Sequence, residues 1–175
     1  MILPLWHEEP ISKSHDRKIF DCGDDQMNEF LQRFARQSHD HNAAKTFCAI
    51  KTDRPEKILG FYTITPSAVS HDEVPTNLVR GLARHEVSGF KLARIATDTS
   101  VAGLGLGGQL LAAAALRCLR ISEQVGGRVL IIDANNERAA AWYGKYGAEP
   151  LKNHTLTLIM PLATFASGLR EKGLL

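Results

Sequence analysis

Four glycines within six residues form the part of this sequence whose spacing most directly suggests chemistry. They are Gly103, Gly105, Gly107 and Gly108, and they follow an apolar segment that ends at Asp98. The residues after them, which include Leu-Leu-Ala-Ala-Ala-Ala-Leu, are strong helix formers. The pattern predicts a strand, a glycine loop and a helix, in that order. Backbone N–H groups that no side chain shields, at the start of a helix, favour a phosphate, so the stretch predicts a site for a phosphate-bearing cofactor.

The glycine spacing alone does not identify the cofactor. Gly103, Gly105 and Gly108 match the G-x-G-x-x-G dinucleotide pattern. Several residues separate them from the preceding strand, however, and the nearest downstream acid, Asp133, lies 28 positions after Gly105 rather than about 20. No Gly-Lys-Ser/Thr follows, which excludes a Walker A loop. A simple turn is the other interpretation of the glycines taken by themselves.

A second motif lies downstream and gives the glycines a context. Residues 128–134, Arg-Val-Leu-Ile-Ile-Asp-Ala, are typical of a buried strand. A short predicted helix follows, and residues 140–148 read Ala-Ala-Trp-Tyr-Gly-Lys-Tyr-Gly-Ala. With this motif after the glycine loop, the chain resembles the GNAT acetyltransferases. The resemblance implies a GNAT fold of the α/β (α+β) class, with a mixed sheet of six to seven strands and about four helices, splayed between the strands at 90–98 and 128–134.

The resemblance also implies roles for individual residues. Tyr143 corresponds to the family's general acid, and the phenol, with a pKa near 10, keeps a proton at pH 7 that it can donate to a thiolate. Asn136 is expected to cap the Tyr143 helix and to reach the cofactor. The expected acetyl-CoA contacts come from the central strand and from the glycine loop: Ile95, Ala96, Thr97, Ala102, Gly103, Leu104, Gly105, Leu106, Gly107 and Gly108.

Other segments resemble one branch of the family, the acetyltransferase toxins of the TacT/AtaT type. These are residues 20–23, Phe-Asp-Cys-Gly, residues 45–47, Lys-Thr-Phe, and residues 60–63, Gly-Phe-Tyr-Thr. This resemblance implies an acetyl-CoA-dependent toxin that acetylates the α-amine of aminoacyl-tRNA and blocks translation. It further implies a cytoplasmic homodimer that a ribbon-helix-helix antitoxin neutralises, in a complex that binds operator DNA as a repressor.

One residue departs from the family pattern. The family has Arg or Gln at the position of Ala102. The side-chain contact to the phosphates is lost with it, and a hydrogen bond to a charged group contributes about 1.5–3 kcal/mol. The departure predicts that acetyl-CoA binds roughly tenfold more weakly than it would with Arg at this position.

Charge is unevenly distributed although the formal net charge is only +2. Residues 80–120 carry two acids, Glu86 and Asp98, against six basic residues: Arg80, Arg84, Lys91, Arg94, Arg117 and Arg120. A basic surface favours a phosphate-rich partner. We take Arg84, Lys91 and Arg94 as the candidate tRNA contacts, and a solvated helix face is the alternative.

Length and composition limit the remaining possibilities. At 175 residues the chain fits one domain, 1–175, with a sizeable core. Three widely spaced cysteines, Cys22, Cys48 and Cys118, predict neither a disulfide framework nor a zinc site, so no metal is expected and a reducing cytoplasm fits. The N-terminus lacks the pattern of a signal peptide, and no run of residues is apolar enough to span a membrane.

The remaining secondary structure follows from apolar periodicity. An N-terminal helix capped by Asp24 or Asp25 should bury the stripe Met27, Phe30, Leu31 and Phe34. Strands are predicted at 45–50, 58–65, 90–98, 128–134 and 155–160, the last at an edge of the sheet. Helices are predicted at 107–125, 135–146 and 161–169, and a loop with one helical turn at 66–88.

Three other functions stay open on the sequence. A GNAT enzyme that acetylates a small amine or a protein N-terminus would turn over without tRNA. A subunit inactivated by Ala102 would act only as a binding module for the antitoxin or DNA. A dehydrogenase would bind NAD.

Overall fold

The computed structural model describes residues 1–171 and 173. In these residues seven strands form one mixed sheet, in the spatial order Trp6–Pro10, Lys45–Lys51, Ile58–Val69, Val87–Thr97, Val129–Asp133, His154–Pro161, Glu149–Leu151. The residues group into two compact units, Met1–Thr65 with Ala93–Ala114, and Pro66–Leu92 with Ala115–Leu175. The mixed seven-stranded sheet confirms the predicted fold class. The single domain stays a prediction.

The first unit begins with three antiparallel strands and a helical segment. The strands are β1 (Trp6–Pro10), β2 (Lys45–Lys51) and β3 (Ile58–Val69), and β3 continues past Thr65 into the second unit. Between β1 and β2 run α1 (Asp25–Glu29), a π-helical turn (Phe30–Phe34) and α2 (Ala35–Asp40). Asp24 caps α1 by accepting a hydrogen bond from the Met27 amide at 3.0 Å. The helical segment therefore begins where its capping residue predicts.

Aromatic and aliphatic side chains from these elements form the core of the first unit. Phe20 packs edge-on against Phe61 with ring centroids 5.5 Å apart, and Leu31 is fully buried. The other buried members are Ile11, Ala35, Cys48, Ile50 and Ile58. Burial of a large apolar side chain contributes about 1.5–3 kcal/mol, so this cluster accounts for much of the unit's stability.

Two elements continue from one unit into the other. The strand β4 (Val87–Thr97) changes unit after Leu92, and the helix α4 (Leu106–Val125) changes unit after Ala114. In the first unit, a side chain at Gly60 would come within 2.8 Å of Leu110 and 2.9 Å of the Ala96 carbonyl oxygen. The absence of a side chain at Gly60 therefore lets α4 and β4 pack this closely against β3.

The second unit contains the remaining strands. β4 pairs in parallel with β5 (Val129–Asp133) over Gly89–Leu92, and β7 (His154–Pro161) pairs antiparallel with both β5 and β6 (Glu149–Leu151). The helices are α3 (Thr76–Val79), α5 (Glu137–Gly144) and α6 (Leu162–Glu171). The core of the unit consists of apolar side chains, most of them β-branched: Val69, Val74, Val79, Val87, Val129, Ile131, Leu151 and Ile159.

Three details of the predicted secondary structure are wrong. Phe34 is 51% exposed, since Ala35 occupies the buried position after the π-helical turn. The strand at 154–161 is not an edge, because Glu149–Leu151 forms a further strand outside it. The segment 66–88 holds the end of β3, a 3₁₀ turn at His71–Glu73, α3 and the start of β4.

The remaining composition-based expectations concern thiols, membranes and metals. Cys48 and Cys118 are buried, and burial raises the pKa of each thiol to about 12, so both are structural. No helix in the described part of the chain has the length and apolar character that crossing a bilayer requires. Residues 1–171 and 173 contain no group of three or more His, Cys, Asp or Glu side chains arranged to hold a metal ion.

Candidate active site

The glycine loop leads from β4 into α4 in the first unit. A 3₁₀ turn at Thr99–Val101 follows Asp98, and the chain then passes through Gly103 (φ 74°) and Gly105 (φ 89°). Positive φ values of this size are strained for any residue with a Cβ atom. Open space surrounds both glycines within 4 Å of where a Cβ would lie. The backbone conformation, and not crowding, therefore requires glycine at these two positions.

The amide groups of the loop divide into two sets. Those of Ala102 and Leu104 donate to the carbonyl oxygens of Thr99 (3.3 Å) and Val101 (3.2 Å). The helix α4 begins at Leu106, and the first amides of a helix have no carbonyl partner within it. Leu106, Gly107 and Gly108 thus present the amides that suit a phosphate. The amides of this second set are therefore the candidates for the predicted contact with the pyrophosphate of acetyl-CoA.

Asp98 holds the loop in place. Its buried carboxylate accepts hydrogen bonds from the Ser100 amide (3.0 Å), the Ser100 hydroxyl (2.6 Å) and the Asp21 amide (3.0 Å). Lys57 Nζ lies 3.4 Å from the same carboxylate. Burial by itself would raise the pKa of Asp98, but the Ser100 and Asp21 hydrogen bonds and the charge of Lys57 outweigh it and lower the pKa. Asp98 is therefore ionised. Its carboxylate contacts three segments of the chain: the start of the glycine loop at Ser100, the segment at Asp21, and the segment at Lys57.

The segment at residues 20–23, which supported the toxin resemblance, is one of the three. Asp21 also accepts from the Thr99 amide through its carbonyl oxygen (2.8 Å), and its carboxylate accepts from the Gly23 amide (2.8 Å) and the Asn28 side chain (2.9 Å). The Asn28 side-chain oxygen in turn accepts from the Cys22 amide at 2.9 Å. The motif is thus a support for the glycine loop. This supporting role was not predicted from the sequence.

The central-strand candidates lie in the same unit as the loop. Ile95, Ala96 and Thr97 are half-buried at the end of β4, and the Asp98 amide that follows donates to the Leu59 carbonyl oxygen at 2.8 Å. Their proposed contact with the pantetheine arm stays a prediction. Ala102 is exposed at the start of the loop, so its position can hold a longer side chain.

Replacing Ala102 by arginine is expected to tighten acetyl-CoA binding about tenfold, because the guanidinium adds a charge-assisted hydrogen bond to the phosphates. Isothermal calorimetry measures the effect. Ala83→Arg is the matched control, since it adds the same charge at an exposed residue outside the loop. Equal affinities of Ala102→Arg and the unmodified protein would show that this position does not reach the phosphates.

Tyr143 lies in the second unit, on α5. Asn136 caps this helix by accepting from the Ala139 amide at 2.8 Å, which confirms its capping role. The Tyr143 side chain is buried, and burial raises its pKa to about 12. A phenol with that pKa keeps its proton throughout the physiological range. Tyr143 is therefore in the protonation state that a general acid needs.

Two further aromatic residues accompany Tyr143. The centroid of the Trp142 ring lies 5.0 Å from that of the Tyr143 ring and 5.0 Å from that of the Tyr146 ring, and Trp142 is edge-on to both. Tyr146 is 47% exposed, so it covers Trp142 rather than filling the core. As a partly exposed tyrosine on the same segment, Tyr146 is a suitable internal control for the chemistry assigned to Tyr143.

The three basic candidates have different environments. In the second unit, Arg84 is exposed, and Lys91 Nζ lies 2.7 Å from Asp133 Oδ2. In the first unit, Arg94 is exposed and its guanidinium carbon lies 4.9 Å above the centre of the Phe30 ring. Lys91 is thus already engaged in an ion pair, whereas Arg84 and Arg94 have their charges available at the surface.

No protein-family model matches the sequence. Among curated proteins, a probable toxin TacT of Sinorhizobium fredii is 27% identical over 91% of this chain and 92% of its own length. The tRNA-acetylating toxin of Mycobacterium tuberculosis is 27% identical over 86% of this chain and 88% of its own length. Both similarities thus extend over nearly the whole chain.

Solved structures share the fold. A tyrosine-to-phenylalanine mutant of KacT superimposes with a TM-score of 0.86, at 27% identity, over 93% of this chain and 98% of KacT. A tyrosine-to-phenylalanine mutant of the toxin AtaT, bound to acetyl-CoA and the C-terminus of the antitoxin AtaR, gives 0.80 at 25% identity over 94% and 98%. A KacTA–DNA complex gives 0.81 at 25% identity over 95% and 99%. The chain is therefore similar in sequence and in fold to the TacT, KacT and AtaT toxins, and its fold matches that of GNAT toxins.

Proposed function

We propose that this protein is an acetyl-CoA-dependent N-acetyltransferase toxin that acetylates the α-amine of aminoacyl-tRNA and so blocks translation. The observation that carries the proposal is the similarity, over 86% of the chain, to a tRNA-acetylating toxin. Two features of this chain support it: a glycine loop whose free amides suit a pyrophosphate, and a buried tyrosine that stays protonated.

Different residues of the chain have different roles in the proposed reaction. Acetyl-CoA supplies an acetyl group on a thioester, whose sulfur leaves as a thiolate. The amides of Leu106, Gly107 and Gly108 hold the phosphates, and Ile95 and Thr97 orient the pantetheine arm. The acceptor nitrogen bonds to the carbonyl carbon as the carbon–sulfur bond breaks. Tyr143 donates its proton to the sulfur, and the proton that the amine loses goes to solvent.

The chemistry of the acceptor favours an α-amine. An α-amino group has a pKa near 8, so an appreciable fraction of it is neutral and nucleophilic at pH 7. A lysine side chain, with a pKa near 10.4, would need a dedicated base. An aminoacyl-tRNA offers an α-amine together with a phosphate backbone that the exposed Arg84 and Arg94 can contact.

The rate of acetylation should depend on pH through the acceptor alone. Between pH 6 and 7.5 the initial rate at saturating acetyl-CoA is expected to rise about tenfold per unit, and to level off above pH 8 as the α-amine becomes neutral. Tyr143, with its pKa raised to about 12, stays protonated, so no decrease is expected up to pH 9.5. A rate that falls between pH 8 and 9.5 would mean that another group with a lower pKa is the acid.

The comparisons also support the proposed partners. AtaT is bound to the C-terminus of its antitoxin in one solved structure, and KacTA is bound to DNA in another. We propose that a small ribbon-helix-helix antitoxin neutralises this chain in a complex that binds operator DNA, and that the chain works in the cytoplasm as a homodimer.

The proposed function is tested by adding labelled acetyl-CoA to a mixed pool of charged tRNA, with the same pool after deacylation as control. Label on the charged pool alone supports the proposal. Label on small amines or protein N-termini but not on charged tRNA would favour the second candidate, a GNAT enzyme with a different acceptor. Absence of both label and acetyl-CoA binding would favour a binding module inactivated at Ala102.

A further inference from the structure

An aromatic stack with an arginine on top reaches the surface of the first unit. The Phe30 ring is stacked on Phe61 with centroids 6.2 Å apart and an interplanar angle of 26°, and Phe61 is fully buried. The exposed Arg94 lies on Phe30, 4.9 Å from the ring centre. A guanidinium held over a ring in this way is restricted in orientation, and its planar group is available to a further planar partner.

A local distortion of the helix places a second ring at the surface. The Ala35 amide bonds to the Phe30 carbonyl oxygen, five residues earlier, which closes the π-helical turn. Phe34 is 51% exposed, while Ala35 is fully buried. Phe34 follows Phe30 by four residues, which places both on the same side of the helical segment. Turns of this type occur frequently at functional sites, and this one leaves a large apolar ring exposed to solvent.

The charges around this surface favour an anionic partner. Among the described residues, Arg94 has no carboxylate within ion-pair distance, and Arg33 on the same helical segment pairs with Glu29 at 3.3 Å. Arg94 also lies one residue before Ile95, the first of the strand residues that we assign to the pantetheine arm. Arg94 and the proposed pantetheine contacts thus lie on the same strand, β4.

We propose that Phe34, Phe30 and Arg94 form a stacking surface for the unpaired 3′-terminal nucleotides of tRNA, and that it positions the aminoacyl group for acetylation. Single-stranded bases stack on aromatic rings and on arginine guanidinium planes, while arginine also contacts phosphate. The inference rests on the proposed function, because it concerns how the same tRNA substrate is held. Phe34 and Arg94 are positioning residues and take no part in the chemistry.

Equilibrium binding of deacylated tRNA separates this surface from the chemistry. The probes are one tRNA with its 3′-CCA end and the same tRNA lacking those three nucleotides, at fixed low salt. The protein is expected to bind the intact tRNA about tenfold more tightly than the shortened one, since each stacked base contributes a gain of about this size. In Phe34→Ala the ratio should fall several-fold toward one, because Phe30 and Arg94 remain, with binding of the shortened tRNA unchanged.

Matched variants distinguish stacking from charge. Arg94→Lys keeps the charge but loses the planar group, so it should lower the ratio, whereas Arg33→Ala should leave it unchanged. The inference is overturned if the protein does not discriminate between the two tRNAs, if neither binds, or if Phe34→Ala weakens both equally. Normal acetylation of charged tRNA together with any of these results would leave the proposed function in place and remove only the stacking surface.

Discussion

Replacing Tyr143 by phenylalanine is expected to lower the rate constant of acetyl transfer by about 10²–10⁴-fold, the usual contribution of a positioned general acid. The change removes only the hydroxyl, so the ring keeps its packing against Trp142. Acetyl-CoA affinity should therefore stay nearly unchanged. Single-turnover acetylation of charged tRNA measures the rate constant, and calorimetry measures the affinity.

Tyr146→Phe is the matched control, because it removes a hydroxyl from a tyrosine three residues further along, one that is 47% exposed. We expect this variant to acetylate tRNA at the original rate. Full activity of Tyr143→Phe would refute the general-acid role. A large loss in Tyr146→Phe, with none in Tyr143→Phe, would assign that role to Tyr146.

Replacing Asp98 by alanine is expected to have the largest effect on stability, about 3–5 kcal/mol. Removing one member of a buried ion pair leaves the other charge uncompensated, and here the Lys57 side chain is only 16% exposed. The amides of Asp21 and Ser100 also lose their acceptor. Urea unfolding measures the change in the free energy of unfolding, and the loosened glycine loop should weaken acetyl-CoA binding in parallel.

Asp53→Ala is the comparison for Asp98→Ala, since Asp53 pairs with Lys51 at 3.1 Å but is 75% exposed, and surface pairs contribute at most about 1 kcal/mol. The pH dependence gives a second check. The pKa of Asp98 is lowered on folding, so its contribution is present above the usual value of 3.8 and is lost as the pH falls through the lowered pKa. Equal losses in the two variants would contradict the anchoring role of Asp98.

The strand–loop–helix unit could be predicted because its signals are local. Gly103 and Gly105 occupy positions with positive φ. The helix-forming residues 109–125 that follow contain no glycine or proline before Gly126. Asn136 likewise caps α5 as its sequence position suggests. Where the residue type, the backbone conformation and the neighbouring sequence agree, the element is found within a few residues of its predicted bounds.

The anchoring of the loop could not be predicted, because its partners are far apart in the chain. Asp98 and Asp21 are 77 residues apart, and nothing in the local sequence of either residue points to the other. The exposure of Phe34 was missed for a related reason. The apolar spacing assumes a regular α-helix, and the π-helical turn at Phe30–Phe34 changes which side chain is buried.

Short strands with atypical residues were also missed. β1 contains two glutamates and ends at Pro10, and β6 has Pro150 at its centre. Proline is tolerated on edge strands because it lacks an N–H group, and both strands lie at the edges of the sheet. Their pairing depends on a neighbouring strand that is already formed, so their own sequence carries little signal.

The position of the transferred acetyl group tests the central claim most directly. Charged tRNA is incubated with the protein and labelled acetyl-CoA, the ester bond is hydrolysed, and the released product is identified by mass spectrometry. The proposed function predicts an N-acetyl amino acid, with no label left on the RNA. Label on a nucleoside, or an unmodified amino acid from tRNA incubated with protein that binds acetyl-CoA, would contradict it.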